Sequence, residues 1–418
     1  MRSSPFWWIF IGFMLLLDLY FFQALKVLTH SAAPRTRLFI HTAYWLLSVT
    51  AILTLLLLPY LQMEKAARLA KSTIFTVIAG IFFAKLIASL FFLIDDLRRG
   101  LQWAGLRLFG PGKENGTVLL AGEGITRSAF LSWAGVLAGS GLFGTLVWGF
   151  GNKHRYQVRR VPLSFPHLPR AFHGLRIVHI SDIHAGSFTD KKAVAAGVQK
   201  ILDQQPDLIL FTGDLVNNLA SEMDEYKEIF GRLKAPLGVY STLGNHDYGE
   251  YVQWDSPDEK KANLEQLKKI HREMGWRLLM NEQAGIEKDG QSLALVGVEN
   301  WSAKARFPKY GDLARAFAGA EDAPFKILLS HDPSHWRAEV LEKYPGIDLT
   351  LSGHTHGMQF GVEMPGIKWS PVQYVYNEWA GLYEKDGQKL YVNRGFGFIG
   401  YPGRVGILPE ITLLELNG

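Results

Sequence analysis

Five apolar runs in the second half of the chain each break off into a polar cluster: LRIVHI (175–180), PDLILF (206–211), GVYSTL (238–243), FKILL (325–329) and IDLTL (347–351). Runs of this length bounded by turn residues read as buried strands. Between them apolar positions recur at helical spacing. Val194, Val198, Ile201 and Leu202 share one face, and Met223, Tyr226, Phe230 and Leu233 share another, with Ser221 as its expected N-cap. A third set, Leu264, Leu267, Ile270 and Met274, is closed by Gly275. Alternating strand and helix predicts a layered α/β domain, with further strands near 277–280, 291–298, 389–393 and 410–416. In open α/β sheets the crevice beyond the carboxyl ends of the strands is where ligands bind.

The first half has a different pattern. Residues 6–22, 39–61, 73–94 and 130–150 are apolar enough, and long enough, to cross about 30 Å of hydrocarbon as helices. The first span, with Arg2 before it and Asp18 within it, is expected to stay as an anchor, since three more spans follow. Asp18 is expected to pack against a neighbouring span or lie near the interface. Gly135, Gly139 and Gly144 in the fourth span would let helices approach closely. The expected division is a transmembrane region at 1–150, a juxtamembrane linker at 151–172 and the α/β domain at 173–418.

Charge changes this picture little. The formal net charge of +5 over 418 residues, with no long basic run, gives no reason to expect nucleic-acid binding. Basic residues balance across the spans: Arg2, Lys65, Arg68, Lys71 and the Lys153–Arg160 cluster oppose Lys26, Arg35, Arg37, Arg98, Arg99, Arg107, Lys113 and Arg127. The stretch Thr126 to Leu131 resembles a twin-arginine export signal lacking its second arginine. It favours an integral protein of the bacterial cytoplasmic membrane with the α/β domain outside. Absence of cysteine excludes disulfides, thiolate ligands and a cysteine nucleophile.

The polar clusters carry the chemistry. Asp182, His184, Asp214, Asn245, His331, His354 and His356 all fall where the strands end. Carboxylate, amide and imidazole donors without thiolate suit divalent Mn, Fe or Zn. The set is too large for one tetrahedral ion and fits two ions sharing a carboxylate, for which Asp214 is one candidate. Two such ions would clamp phosphoryl oxygens around a bridging hydroxide, the chemistry of phosphate-ester hydrolysis.

The ordered set Asp-x-His, Gly-Asp, Gly-Asn-His-Asp, His and Gly-His-x-His resembles the calcineurin-like metallophosphoesterase family, its membrane-anchored or exported bacterial branch in particular, over residues 173–416. That resemblance implies a four-layer α/β/β/α sandwich preceded by about four transmembrane helices. It implies one metal held by Asp182, His184, Asp214 and His356 and another by Asp214, Asn245, His331 and His354. His246 would act on the leaving oxygen as an acid, with Asp247 orienting it.

Arg394 and Arg404, in the Gly-rich segment 393–404, are further candidates for binding substrate phosphate. His179 and His335 are expected behind the site, His173 and His271 at the surface, and Trp301, Tyr374, Tyr376 and Trp379 at its rim or on the bilayer. The expected function is a membrane-bound two-metal phosphohydrolase acting on a phosphodiester or pyrophosphate of a small-molecule or lipid-linked compound. Its rival is a membrane receptor or scaffold whose metal site is only structural. Oligomeric state is not encoded in any feature of the chain.

Overall fold

The computed structural model describes residues 5–58, 65–109 and 127–418. Arg2, Lys113, Thr126 and the last residues of the expected second span lie outside them. Two compact units emerge, Met1–Trp148 and Gly149–Gly418.

The first unit contains α1 (Pro5–Leu28), α2 (Pro34–Leu57), α3 (Lys65–Phe109) and most of α4 (Arg127–Gly149). All four are long and apolar enough to cross a membrane. Asp18 does not stand alone. Lys85 of α3 places its Nζ 2.5 Å from Asp18 Oδ1, and Tyr44 and Ser48 of α2 donate to the same carboxylate oxygen at 3.0 and 3.1 Å. Both charges are thereby satisfied inside an apolar bundle, where a lone one would be costly. Gly135 and Gly139 of α4 lie against the backbone of Ala88 and Ala84 in α3, leaving no room for a Cβ. Gly144 meets nothing within 4 Å and has no such role.

In the second unit β1 (Gln157–Ser164) is followed by β2 (Leu175–Ile180), α5 (Lys191–Leu202), β3 (Leu208–Thr212), α6 (Lys227–Phe230), β4 (Val239–Thr242), α7 (Pro257–Glu273) and β5 (Arg277–Leu278). Then come β6 (Glu282–Lys288), β7 (Gln291–Gly297), α8 (Leu313–Phe317), β8 (Lys326–Leu329), β9 (Leu349–Ser352) and the hairpin of β10 (Val362–Met364) and β11 (Ile367–Trp369). The chain closes with β12 (Gly381–Lys385), β13 (Gln388–Val392) and β14 (Glu410–Asn417). Two six-stranded sheets result, ordered β1-β14-β2-β3-β4-β5 and β12-β13-β9-β8-β7-β6.

Alternation along the strands sets the layers. Leu175, Ile177, Leu208 and Leu210 of one sheet share a core with Leu293, Leu295, Ile327, Leu329, Leu349 and Leu351 of the other. The opposite face of the first sheet carries Phe211 against Trp276, with ring centroids 5.4 Å apart, beside α7. That of the second carries Val296, Leu328 and Val392 against Leu313, Trp336 and Val340. Helices thus cover both outer faces, giving the α/β/β/α order. Local signals start the helices: Asp190 caps α5 through Ala193 N–H, and Ser256 caps α7 through Glu259 N–H ahead of Pro257.

Three local expectations need correction. The segment expected as linker contains β1, parallel to β14, because Val161 and Leu163 pack into the inter-sheet core while Arg159 pairs with Glu363 at 2.6 Å. The helix expected from Ser221 is reduced to the single turn of α6, as residues 220–223 wind into a separate tight turn. His271, expected at the surface, is fully buried and bonded to Ser241 at 3.0 Å.

Candidate metal centre

The strand ends β2, β3, β4, β8 and β9 deliver their polar clusters to one place, and the backbone there is bent to do so. Asp182, His184, Asp214, His354 and His356 all have φ between +50° and +71°. For residues with a Cβ this left-handed region costs of order 1–3 kcal/mol each, and such strain concentrates at functional sites. Gly213 and Gly244 make the approach possible: a Cβ on Gly213 would strike the backbone of Gly244, and one on Gly244 would strike the Asp214 carboxylate.

Two groups of potential ligands result. Atoms of Asp182, His184 and His356 lie within 4.8 Å of one another, as do those of Asp214, His331 and His354. Asp214 stands between the groups, its Oδ2 3.1 Å from His331 Nε2 and 3.6 Å from His184 Nε2. His184 and His356 bring their Nε2 atoms to 3.1 Å, and His356 Nε2 is 3.3 Å from Asp182. His354 Nδ1 lies 3.3 Å from His331 Nε2. Asn245 joins them from the rim of the same cavity: Tyr251 fixes its amide nitrogen at 2.8 Å, while its buried Oδ1 has no hydrogen-bond donor.

This arrangement fits divalent cations. Burial pushes His184 down to about 3 and His354 down to about 4, and holds His356 well below the usual imidazole range. All three are therefore neutral near pH 7, the form that binds a metal. Burial also lowers His331, but the charges of Asp214 and Asp182 overcome it and push the ring up to about 10. A proton there balances the acidic centre where a cation would otherwise do so. Neutral imidazoles facing one another, and an amide oxygen lacking any donor, are the features that a bound cation would satisfy.

Around this core the other residues separate by role. His246 is partly exposed in a cavity of about 220 Å³; its Nδ1 donates to the Asn217 carbonyl at 2.8 Å, and its ring packs 4.5 Å from that of Tyr251. Asp247 does not touch it. That carboxylate accepts from the backbone N–H of Asp214, Leu215, Val216 and Gly244, so it holds the loop carrying Asp214 and leaves the orientation of His246 to Asn217.

Arg394 and Arg404 do not reach the cavity. Arg394 is spent on Glu410 and Glu363, at 2.5 and 2.7 Å. Arg404 is fully buried, donating to the carbonyls of His356, Arg394, Gly395 and Gly397 and standing 3.2 Å from His356 Nδ1. The cation that does line the cavity is Arg306, next to Phe307. Its only sequence signal was membership of a polar, aromatic loop. Tyr376, at the cavity wall, bonds His354 Nε2 at 2.9 Å and Asp332 at 3.1 Å, orienting that imidazole from behind. His179 and His335 are buried behind the site, bonded to Thr212 and Ser330. Trp379 is buried, Trp301 stacks on His335, and Tyr374 is exposed.

Residues 175–358 match the family "Calcineurin-like phosphoesterase", and residues 1–153 match "Probable Calcineurin-like phosphoesterase, transmembrane domain". YkuE of Bacillus subtilis, an uncharacterized metallophosphoesterase, is 31% identical over 259 residues, spanning 60% of this chain and 82% of that protein. The chain belongs to the calcineurin-like metallophosphoesterases. It is thus a membrane member of a family of metal-dependent hydrolases, with a transmembrane region ahead of the hydrolase fold. A zebrafish transmembrane protein with a metallophosphoesterase domain is 31% identical over 264 residues, 62% of this chain and 56% of that one, so this chain spans little more than half of that relative. LpxG of Chlamydia trachomatis, a UDP-2,3-diacylglucosamine pyrophosphatase, is 29% identical over 303 residues, 60% of this chain and 88% of that protein.

Proposed function

We propose that this metallophosphoesterase is a two-metal phosphohydrolase that cleaves a phosphodiester or pyrophosphate bond. The observation that carries the reading is the pair of ligand groups divided by Asp214, beside the partly exposed His246. Asp182, His184, Asp214 and His356 would hold one ion, and Asp214, Asn245, His331 and His354 the other; the nitrogen and oxygen donors suit Mn, Fe or Zn. When bound, such ions polarise phosphoryl oxygens and lower the pKa of a bound water.

The protein's own groups supply the rest. A water oxygen that has released one proton to solvent forms the new bond to phosphorus as the bond to the leaving oxygen breaks. The leaving oxygen takes a proton from His246 Nε2, and the ring is reprotonated from solvent. Because Nδ1 stays bonded to the Asn217 carbonyl, the ring presents Nε2 to the cavity throughout. Buried Tyr376 and Asp332 keep His354 in register behind it. The pyrophosphatase activity named for the chlamydial relative supports a substrate with a diester-type phosphorus.

Purified full-length protein with bis-p-nitrophenyl phosphate and manganese tests this reading. Metal-dependent release of nitrophenol is expected, and Asp214→Asn should abolish both release and metal retention. Absence of any metal-dependent release would leave a scaffold with a structural site. The hydrolase unit is assigned to the outer side of a bacterial cytoplasmic membrane on the export-signal resemblance near Arg127; protease protection of that unit in intact spheroplasts would overturn the assignment.

A further inference from the structure

The second unit exposes its apolar surface very unevenly. Of its ten exposed large apolar or aromatic residues, eight fall between Met358 and Leu382, and the other two are Tyr251 and Tyr310. A patch concentrated in one short segment of a folded domain marks a surface that something apolar covers.

This patch begins at the metal centre. Met358, two residues beyond His356, lines the cavity together with Val372 and Ile399, yet is 53% exposed and held at a φ of +53°. Holding an apolar β-carbon residue in that conformation while leaving it in water is doubly unfavourable without a ligand. From there the surface runs outward. Val375 and Tyr374 follow Val372, and the Tyr374 hydroxyl accepts from Trp369 Nε1 at 3.4 Å, tying this turn to the hairpin. On that hairpin Met364 and Ile367 are 56% and 53% exposed. The same cavity is lined by Arg306, whose guanidinium lies 4.6 Å from the Phe307 ring and which forms no ion pair among the described residues. The cavity therefore combines an unpaired cation with an opening onto an apolar lip.

Building on the hydrolase reading, we propose that the substrate is an amphiphile. Its phosphate enters the cavity from the Arg306 side of the metal centre, and its hydrocarbon lies along the lip from Met358 and Val375 to the hairpin. The occupant of the lip is the substrate's own chain, which distinguishes this cavity from one built for water-soluble phosphodiesters.

The test compares p-nitrophenyl ethyl phosphate with p-nitrophenyl octyl phosphate, both below their aggregation concentrations, on the manganese-loaded full-length protein in detergent. Leaving group, charge and reacting bond are the same, so the ratio of their kcat/KM values reads the alkyl chain alone. An octyl preference of at least about tenfold is expected, equivalent to removing roughly two methylene groups from water. In Met358→Asn/Val375→Ser the ratio should fall to within about twofold. Asparagine tolerates a positive φ, so the first change does not threaten the fold. Met364→Ser/Ile367→Ser, at exposed hairpin sites, should reduce the ratio independently. Because detergent partitioning of the octyl compound is common to all variants, only loss of the lip changes the ratio. A wild-type ratio near one, or one that both double variants leave unchanged, overturns the lip while metal-dependent cleavage of the ethyl compound upholds the hydrolase. Failure to cleave either compound removes the hydrolase reading and the lip with it.

Discussion

Asp247→Asn separates two accounts of the Gly-Asn-His-Asp motif. In the structure Oδ1 of Asp247 accepts from Leu215 and Val216 at 2.8 and 3.3 Å, and Oδ2 from Asp214 and Gly244 at 2.8 and 2.9 Å. An asparagine in either orientation turns an NH2 group towards two of these N–H donors. Two buried N–H donors are left without an acceptor, each at about 1–3 kcal/mol, so the cost is about 2–6 kcal/mol. That is a large share of the 5–15 kcal/mol typical of a whole domain. The damage falls on the loop that places Asp214, so metal affinity should drop by at least about tenfold, as when other residues behind a metal ligand are changed. Thermal unfolding of the full-length protein followed by fluorescence, with metal content by mass spectrometry, should show Asp247→Asn deficient in both. Wild-type melting and metal content, combined with a turnover loss equal to that of His246→Ala, would refute this reasoning and restore the view that the carboxylate acts through the imidazole.

His246→Ala should retain its metals and stability and lose about 10²-fold in turnover, the usual contribution of a general acid; full turnover in a metal-saturated sample would remove it from the reaction. Arg306→Gln should raise KM about tenfold for the ethyl and octyl compounds alike, because the phosphate is common to both; an effect on the octyl compound alone would assign Arg306 to the chain. Chelation should lower the thermal midpoint, and manganese at a hundred times its Kd should restore about 2.7 kcal/mol; identical melting with and without metal would show that no ion is bound. Within the first unit, Asp18→Asn or Lys85→Met alone should cost about 3–5 kcal/mol by leaving one charge unpaired, while the double substitution recovers most of it. Additive losses in that cycle would show that the pair does not couple the helices.

The residues gathered at the cavity were legible because a strand end is a local event. An apolar run followed by Asp-x-His or Gly-Asp states in a few residues both the element and what it delivers, and five repetitions imply one meeting place. The layered α/β character of the second unit follows from the same periodicity, as do the four apolar helices, whereas the pairing of two sheets was implied only by the family resemblance. What stayed hidden depends on partners far away in the chain or on backbone groups that every residue possesses. Asp247 was read as a partner of the neighbouring imidazole, yet three of its four donors belong to the loop around Asp214, over thirty positions earlier. Arg394 looked free for phosphate because Glu363 and Glu410 lie 31 and 16 residues away. Asp18 looked solitary because Lys85 enters from the third helix, 67 residues on. β1 was masked by arginines that read as part of a charged juxtamembrane linker and that in part serve Glu363. A charged side chain in sequence therefore identifies a need for a partner without naming one. Arg306 is informative for this reason: among the arginines of the site region it is the one whose need the described fold leaves open, and it lies where an anionic phosphate would meet it.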